Sequence, residues 1–394
     1  MKNYLYLLVI INHLKSRLFL TVLKKYLVFG GFGLCLFCLN AQEAPSWVDF
    51  CSKMESGEMR NCALLDYSYA GYHFSEKPLP DTSTWNIISV IDYGAKPNDN
   101  EYDDTSIQAA IDTAEASNTP TVVYFPEGKY LISSEATKNK PIEVNKSHIV
   151  LKGAGSHKGG TEIYAVNFGD TSKRWNMPWQ FSFKPSNKHT DHSSSFISHV
   201  KNGIHRGDRV IEVDKPENIH VGMLVSLNKR IKKQNDVNLK EIETHPEWNL
   251  VNTKGVDVSE KHLVTKIEGN KVTFKNPINY SIETKNKKIN LYSCNSIEEV
   301  GVEDILFTSA WKEYPEDFVH HANDVVDYAW RAIFFENVYD GWIRNVKFRD
   351  WNDCVQIRGS LTITVRNVEI SGKRGHASFM AYDSTGVLIE NSKD

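Results

Sequence analysis

Between residues 343 and 391 apolar and polar positions alternate around a recurring asparagine: Ile343-Arg-Asn345-Val346-Lys-Phe348, Val365-Arg-Asn367-Val368-Glu-Ile370 and Ile389-Glu-Asn391. The asparagines are 22 and 24 residues apart. Alternation with a period of two marks strands with one buried face, and a repeat in the low twenties marks a coil of stacked turns. Each turn would hold two or three short strands, with Ile343 inward, Asn345 at a bend, and Val346 and Phe348 inward on the next strand. Parallel strands stack about 4.8 Å apart, so successive asparagines lie on one another. An amide has both donors and acceptors and can bond along such a column. Val302-Glu-Asp304-Ile305-Leu-Phe307 fits the same template about two turns upstream, with aspartate at the bend. The pattern predicts an all-β fold, a parallel β-helix.

The N-terminal region reads differently. Ile88-Ser-Val90-Ile91 is a strand and Asp92-Tyr-Gly94-Ala95 turns it. Asp103-Asp104-Thr105 starts a helix, with a side-chain cap expected for its free N–H groups. Ile107, Ala110, Ile111 and Ala114 then fall on one helical face, and Asn118-Thr-Pro120 ends the helix. Thr121-Val-Val-Tyr-Phe125 is a buried strand, Pro126-Glu-Gly128 a turn and Tyr130-Leu-Ile132 another strand. A helix here would cover the open end of the coil, whose bare strand edges would otherwise invite aggregation.

Four segments, Val90-Ile-Asp-Tyr-Gly-Ala95, Asp103-Asp-Thr105 through Ala110, Tyr124-Phe-Pro126-Glu-Gly-Lys-Tyr130 and His148-Ile-Val-Leu-Lys-Gly-Ala-Gly155, resemble the N-terminal signature of the pectate-lyase-like right-handed β-helix superfamily. They are also similar to the start of polygalacturonase-type glycoside hydrolases. The tract 66–78 resembles a lead-in of exported Bacteroidetes members. The resemblance covers 87–165 and, by rung pattern, 296–394. It implies a right-handed coil with an N-terminal capping helix. It does not name a substrate, because the superfamily holds lyases, hydrolases, epimerases and phage tailspikes.

Residues 190–290 break the period. Asp208-Arg-Val-Ile-Glu-Val213, Gly222-Met-Leu-Val-Ser-Leu227, Leu263-Val-Thr-Lys-Ile267 and Lys271-Val-Thr-Phe274 are short alternating strands, with a Gly269-Asn270 turn in a hairpin setting. They predict a small inserted β-module, with the lysine-rich stretch 228–262 as a loop. The expected organisation is a signal peptide (1–41), an aromatic-rich lead-in (42–86), a cap with the first coil turns (87–189), the inserted module (190–295) and further coil turns (296–394). The lead-in has no period; it would pack along the coil or form a rim of the substrate site. The coil reads as incomplete at residue 394, since a closing cap is expected after the last rung.

Lys24-Lys25, the apolar run 26–39 and Leu39-Asn-Ala41 read as a signal peptide cleaved after Ala41. A secreted or periplasmic location follows. Leu34 and Phe37 stand before Cys35 and Cys38 where a lipid anchor wants small residues. The run is short for a bilayer span, so no stable membrane insertion is expected. Export permits disulfides, and Cys51 and Cys62 are near enough in sequence to pair; Cys294 and Cys354 read as core residues. A net charge of −3 gives no reason to expect nucleic acid, and 11% aromatics suit a protein that stacks on sugar rings. A monomer is expected.

Stepping the turns by 22 places Ile333, Val355 and Ala377 inward, with Phe335, Ile357 and Phe379. Phe334, Gln356 and Ser378 then face outward, followed by Glu336, Arg358 and Met380. Arg331, Asp353 and Gly375 lie just before these strands, with His376 beside them. For a lyase acting on a uronic acid, Arg374 or Lys373 would neutralise the carboxylate and His376 or a lysine would take the adjacent proton. Asp353 joins this catalytic group, and Arg331, Arg358, Trp351 and Tyr382 would hold the polysaccharide. For a hydrolase, two carboxylates must flank the bond. Asn352-Asp353-Cys354 and Gly375-His376-Ala377 resemble the Asp-Asp-Cys and Gly-His-Gly motifs of polygalacturonases, with Asn352 and Ala377 departing from them.

Plainer roles compete. Arg358 can pair with Glu336 on the surface, Asp353 can cap a turn, His376 can be an exposed turn residue, and Lys373 with Arg374 can be a solvated corner. His320-His321 with Asp324 and Asp327 is a weak metal pattern. Calcium, common in the related lyases, needs several converging carboxylates, and Asp350 with Asp353 is too few. The expected activity is β-elimination on a uronate polysaccharide, without an assured cofactor. The alternatives are a polygalacturonase-type hydrolase and a non-catalytic polysaccharide-binding β-helix.

Overall fold

Residues 43–62, 64–169, 177–186, 195–239, 243–283, 289–319, 328–373 and 375–394 are described by the structure, a computed structural model. The expected leader, Arg374, His320, His321, Asp324 and Asp327 lie outside the described residues. The chain divides after Val48, and the architecture below is that of Asp49–Asp394.

In chain order, helix α1 (Pro45–Ser56) is followed by strand β1 (Asn86–Ser89) and helix α2 (Asp104–Ser117). Strands β2 (Thr121–Phe125), β3 (Gly128–Ile132) and β4 (Ile142–Val144) make a first turn, and β5 (Ile149–Gly153), β6 (Thr161–Ala165) and β7 (Trp179–Phe183) a second. Six strands then leave the coil: β8 (Phe196–Val200), β9 (Val210–Glu212), β10 (Leu224–Ile231), β11 (Val256–Glu268), β12 (Lys271–Phe274) and β13 (Ile289–Ser293). The coil resumes with β14 (Ile297–Glu298), β15 (Gly301–Glu303), β16 (Leu306–Ser309) and β17 (Arg331–Glu336). It continues through β18 (Val338–Arg344), β19 (Lys347–Arg349), β20 (Asp353–Arg358), β21 (Leu361–Arg366), β22 (Glu369–Ser371), β23 (Ala377–Tyr382) and β24 (Thr385–Glu390).

Every third coil strand joins the same parallel sheet, except that the short β14 pairs with β18 beside β15. Sheet I runs β1-β2-β5-β15-β18-β21-β24, sheet II β3-β6-β16-β19-β22 and sheet III β4-β7-β17-β20-β23. This is a right-handed parallel β-helix. Its inward residues, among them Val123, Leu151, Ile163, Phe181, Val302, Phe307, Ile333, Phe348 and Val355, form one buried core. The α2 face of Ile107, Ala110, Ile111 and Ala114 belongs to that core and covers the β1 end of the coil.

The corners explain the asparagine repeat. Asp304, Asn345, Asn367 and Asn391 all have left-handed φ, between 49° and 58°, a conformation in which Asn and Asp lose least among residues with a Cβ. Asn367 Nδ2 donates to Asn345 Oδ1 at 3.1 Å, and Asn345 Nδ2 to Asp304 Oδ1 at 3.0 Å. A second left-handed column, Asn337, Gly359 and Asp383, turns sheet III into sheet I. A third runs through His148, Glu299, Asp340, Thr362 and Gly386 at the entry of sheet I. Thr362 there is a β-branched residue at φ 58°; its hydroxyl bonds Asp340 Oδ1 at 2.7 Å.

Several expectations need correction. The first strand ends at Ser89, and Val90–Tyr93 is a 3-10 turn closed by Gly94 at φ 100°. Neither acid caps α2: Asp103 accepts from the Lys96 and Leu131 N–H groups, and Asp104 from Ser133. These bonds tie the helix start to the neighbouring loops instead. The stretch 228–262 is strand at both ends, because β10 pairs antiparallel with β11 from Leu224↔Leu263 to Ile231↔Val256. The sheet order is β8-β13-β10-β11-β12-β9, one face of which has its own apolar core, and the polar residues of the stretch divide between exposed Arg230 and Asp257 and buried Glu260, Lys261 and His262. Cys51 and Cys62 are free thiols, as are Cys294 and Cys354.

The lead-in lies on the outside of sheet I. Tyr72 is buried edge-on against Trp342 at 5.5 Å, and its N–H bonds Thr364 Oγ1 at 2.8 Å. Trp342 reaches across Gly301, where a Cβ would stand 2.4 Å from the indole. Glu303 is fully buried beneath this layer and satisfied by the Trp342 indole, Thr82, Lys152 and Arg344.

Candidate functional site

Residues of β17, β20 and β23 come together on the outer face of sheet III. The register is Arg331↔Asp353↔Ala377, Ile333↔Val355↔Phe379, Phe334↔Gln356↔Met380 and Glu336↔Arg358↔Tyr382. The step of 22 therefore holds from β17 to β20 and becomes 24 from β20 to β23. Ala377 stacks on Asp353 and Phe379 on Val355, correcting the expected pairing of Ala377 with Val355. Met380 and Tyr382, in place of Ser378 and Met380, continue the outward rows. The two extra residues lie in the corner before β23.

Asp353 is wholly shielded from solvent. Its Oδ2 takes the Arg331 Nε at 3.0 Å, and its Oδ1 lies 3.4 Å from His376 Nδ1. An unpaired carboxylate at such depth would be costly, and the Arg331 guanidinium offsets that cost. A shielded Asp353 cannot touch a sugar, so its expected catalytic place becomes one of positioning. The Arg331 guanidinium is held over Trp179 at 5.3 Å and Tyr328 at 5.6 Å. Arg331 retains 11% side-chain exposure and His376 32%, so His376 is the group of this trio that faces outward.

Asn352, one residue before Asp353 and also fully buried, is a hub that sequence reading passed over as a motif departure. Its Oδ1 accepts from Tyr314 Oη and from the His376 N–H, both at 2.8 Å, and its Nδ2 donates to Ala329 O at 3.0 Å. The corners 310–330, 351–352 and 372–376 are thus joined at one side chain. No periodicity in 310–330 flagged Tyr314; the pairing of an Asn-Asp dipeptide with a Gly-His dipeptide was the available signal.

The other expected residues separate. Trp351 is 3% exposed and part of the coil core, so it cannot stack on a sugar. Arg358 and Tyr382 are exposed neighbours in register at the far end of the same face. Arg358 also meets Glu336 at 4.0 Å, the surface ion pair foreseen for it. Lys373 is exposed, with its N–H bonded to Asp350 Oδ1 at 2.9 Å. Phe334, stacked with Trp179 at 5.7 Å, adds aromatic surface between the two ends. The face can offer a base, fixed cations and aromatic surface along one line.

Among the described residues one group could meet around a metal ion: His73, Glu299 and Asp340, with ligand atoms within 4.8 Å of one another. The imidazole lies between the two acids, Nε2 at 2.8 Å from Glu299 Oε1 and Nδ1 at 3.3 Å from Asp340 Oδ2. The arrangement serves as a clamp holding the lead-in to sheet I. Among the described residues no comparable group forms around Asp350 and Asp353.

Residues 87–305 match the family described as Rhamnogalacturonase A/epimerase, pectate lyase-like. No curated protein matches the sequence. Among solved structures, the gp49 tailspike of Pseudomonas phage LKA1 is similar at 14% identity and TM-score 0.42, over 77% of this chain and 50% of that one. A family 28 exopolygalacturonase from Yersinia enterocolitica is similar at 10% identity and TM-score 0.32, over 78% and 49%. The PfbA adhesin of Streptococcus pneumoniae gives 16% identity and TM-score 0.34, over 73% and 39%. The chain spans about half the length of the tailspikes it matches.

Proposed function

Because the chain belongs to the Rhamnogalacturonase A/epimerase, pectate lyase-like family, we propose that it is an exported enzyme that cleaves a uronate-containing, pectin-like polysaccharide by β-elimination. One observation carries the choice of chemistry: the carboxylate at the centre of the site is buried under an arginine, and a histidine is the exposed group beside it. Hydrolysis needs two carboxylates that flank the bond, and Asp353 is not placed to be one. Elimination needs a base and a cation near the uronate carboxylate, for which His376 and Arg331 are suited.

In this reading Asp353 holds the His376 ring through Nδ1 and leaves Nε2 to take the proton at C5. The C5–H electron pair becomes the C4–C5 double bond, the C4–O bond breaks, and its electron pair leaves with the oxygen, which takes a proton from solvent water while the His376 imidazolium returns its own to solvent. Arg331 and Lys373 neutralise the carboxylate so that C5 is more acidic. Arg358 and Tyr382 hold the chain further along the face. The export part of the reading rests on the apolar run 26–39.

Hydrolysis is the second reading. It is favoured by the meeting of Asn352-Asp353 with Gly375-His376 through the Asn352 to His376 hydrogen bond, the pair of motifs that resembles polygalacturonases. Incubating the full chain with polygalacturonate and rhamnogalacturonan separates the two. Elimination gives new reducing ends together with ultraviolet absorbance from the double bond. New reducing ends without absorbance would establish hydrolysis instead. Binding without either product would leave the chain a non-catalytic binder.

A further inference from the structure

A continuous groove lies where the lead-in, the inserted module and the last coil turns meet. It consists of two adjoining cavities of about 300 and 550 Å³ that share Asp66, Tyr69, Pro277 and Asn279. We propose that this groove is a second saccharide-binding site, distinct from the sheet III face, that grips hydroxyl-rich pyranose units of the polymer. The inference rests on the polysaccharide reading above for its choice of ligand.

The smaller cavity carries the apolar side of the argument. Leu65, Tyr67 and Tyr69 of the lead-in face Val258 of β11 and Leu361 of β21 across it. Tyr67 is 69% exposed, a large aromatic surface that the fold does not use. A pyranose ring has an apolar C–H face and a polar rim, and an exposed tyrosine presents the matching combination of flat ring and hydroxyl. Ligand sites pair such apolar walls with a few fixed polar groups.

The larger cavity supplies those polar groups in fixed positions. Arg209 lies 4.5 Å from the Tyr69 ring centroid and donates to Tyr69 Oη and to Lys275 O. Arg206 donates through Nε to Asn279 O at 3.0 Å and through Nη1 to Cys62 O. Each guanidinium has five N–H donors, so each keeps donors for a ligand while its position is held. Groups already held lose little freedom on binding. Arg60, 3.7 Å from Asp208, is 61% exposed. Three arginines face three carboxylates, Glu58, Asp66 and Asp208, in the lining. The balance offers adjacent donors and acceptors to vicinal hydroxyls and little net charge to attract an anion.

Binding of the full chain to soluble rhamnogalacturonan and to a neutral galactan tests this by affinity electrophoresis and calorimetry. The wild type should bind at least one polymer, with little loss on raising salt. Tyr67→Ala and Arg60→Gln, both at exposed positions, should weaken polymer binding about tenfold or more, as loss of a ligand-contacting anchor does, and leave turnover of short oligosaccharides unchanged. His376→Ala should bind polymer like the wild type. No binding by the wild type, binding unchanged in both groove variants, or binding abolished by moderate salt would each overturn the proposal. Unaltered turnover in His376→Ala would overturn the elimination reading instead and leave the groove standing.

Discussion

Asp353 Oδ1 lies 3.4 Å from His376 Nδ1, with Asp353 closed off from solvent and His376 open to it. The relationship separates two variants that would otherwise look alike. His376→Ala should lower turnover about 100-fold or more, the scale of a lost general base, at a stability cost within about 0.5 kcal/mol, as for most exposed positions. Asp353→Asn should lower turnover comparably and also destabilise by about 3 kcal/mol, because the largely covered Arg331 guanidinium is left without its partner. Kinetics and denaturant unfolding of both variants check this. Equal stability of the two would contradict the burial argument.

Asn352 fixes the backbone of His376 through one of three hydrogen bonds. Asn352→Ala should cost about 3 kcal/mol, at roughly 1 kcal/mol per lost bond. The accompanying fall in kcat should exceed the change in KM, since the base is misplaced while the far end of the face is intact. Tyr314→Phe removes one bond and should cost about 1 kcal/mol. A KM effect as large as the kcat effect in Asn352→Ala would argue against a positioning role.

Asn345 sits at φ 55° and bonds both its neighbours in the corner column. Asn345→Ala should destabilise by about 2 kcal/mol, combining left-handed strain with lost ladder bonds. Asn345→Gly keeps the backbone relaxed and should cost less. Thermal melts of the pair give the order, and an alanine variant as stable as the glycine one would count against it.

Burial pushes the Asp103 carboxyl up to about 6, against the pull of two backbone N–H donors. The neutral form is therefore favoured in the folded chain relative to the unfolded one. That contribution is fully present below the ordinary aspartate value near 3.8 and is lost as pH rises through about 6. Hydrogen exchange of α2 should show stronger protection at pH 4.5 than at pH 7, conditions chosen to span roughly that window. In Asp103→Asn the difference between the two should shrink; an undiminished difference would place the titrating group elsewhere.

The coil was legible in the sequence because its inward positions alternate and its corners restrict residue type. Asn345, Asn367 and Asp304 announce both facts at once. The strands within the lysine-rich stretch were hidden because Arg230 and Asp257, paired across β10 and β11, lie on a wet sheet face, where charge says nothing against a strand. The site was half legible. Its members were named, but register beyond β20 depends on how many residues the corner before β23 holds, which periodicity does not supply. Burial was the other hidden quantity: Trp351 reads as a surface aromatic in sequence and proves to be core, and Asp353 reads as a catalytic acid and proves to be covered.

The corner from sheet II to sheet III is uneven along the coil. It spans 133–141, 166–178, 310–330, 350–352 and 372–376 in successive turns, whereas the later corners from sheet I to sheet II are only 304–305, 345–346 and 367–368. Length can change at that edge while the strands on either side keep their stacking, and the change from 22 to 24 is an instance; the corner from sheet III to sheet I takes a larger one, the inserted strands β8 to β13. The first of these edges also carries Tyr314, Asn352 and His376. The fold thus works as a fixed spindle with exchangeable cassettes at its corners, so the chemistry of the face can be rewritten without retuning the core that supports it.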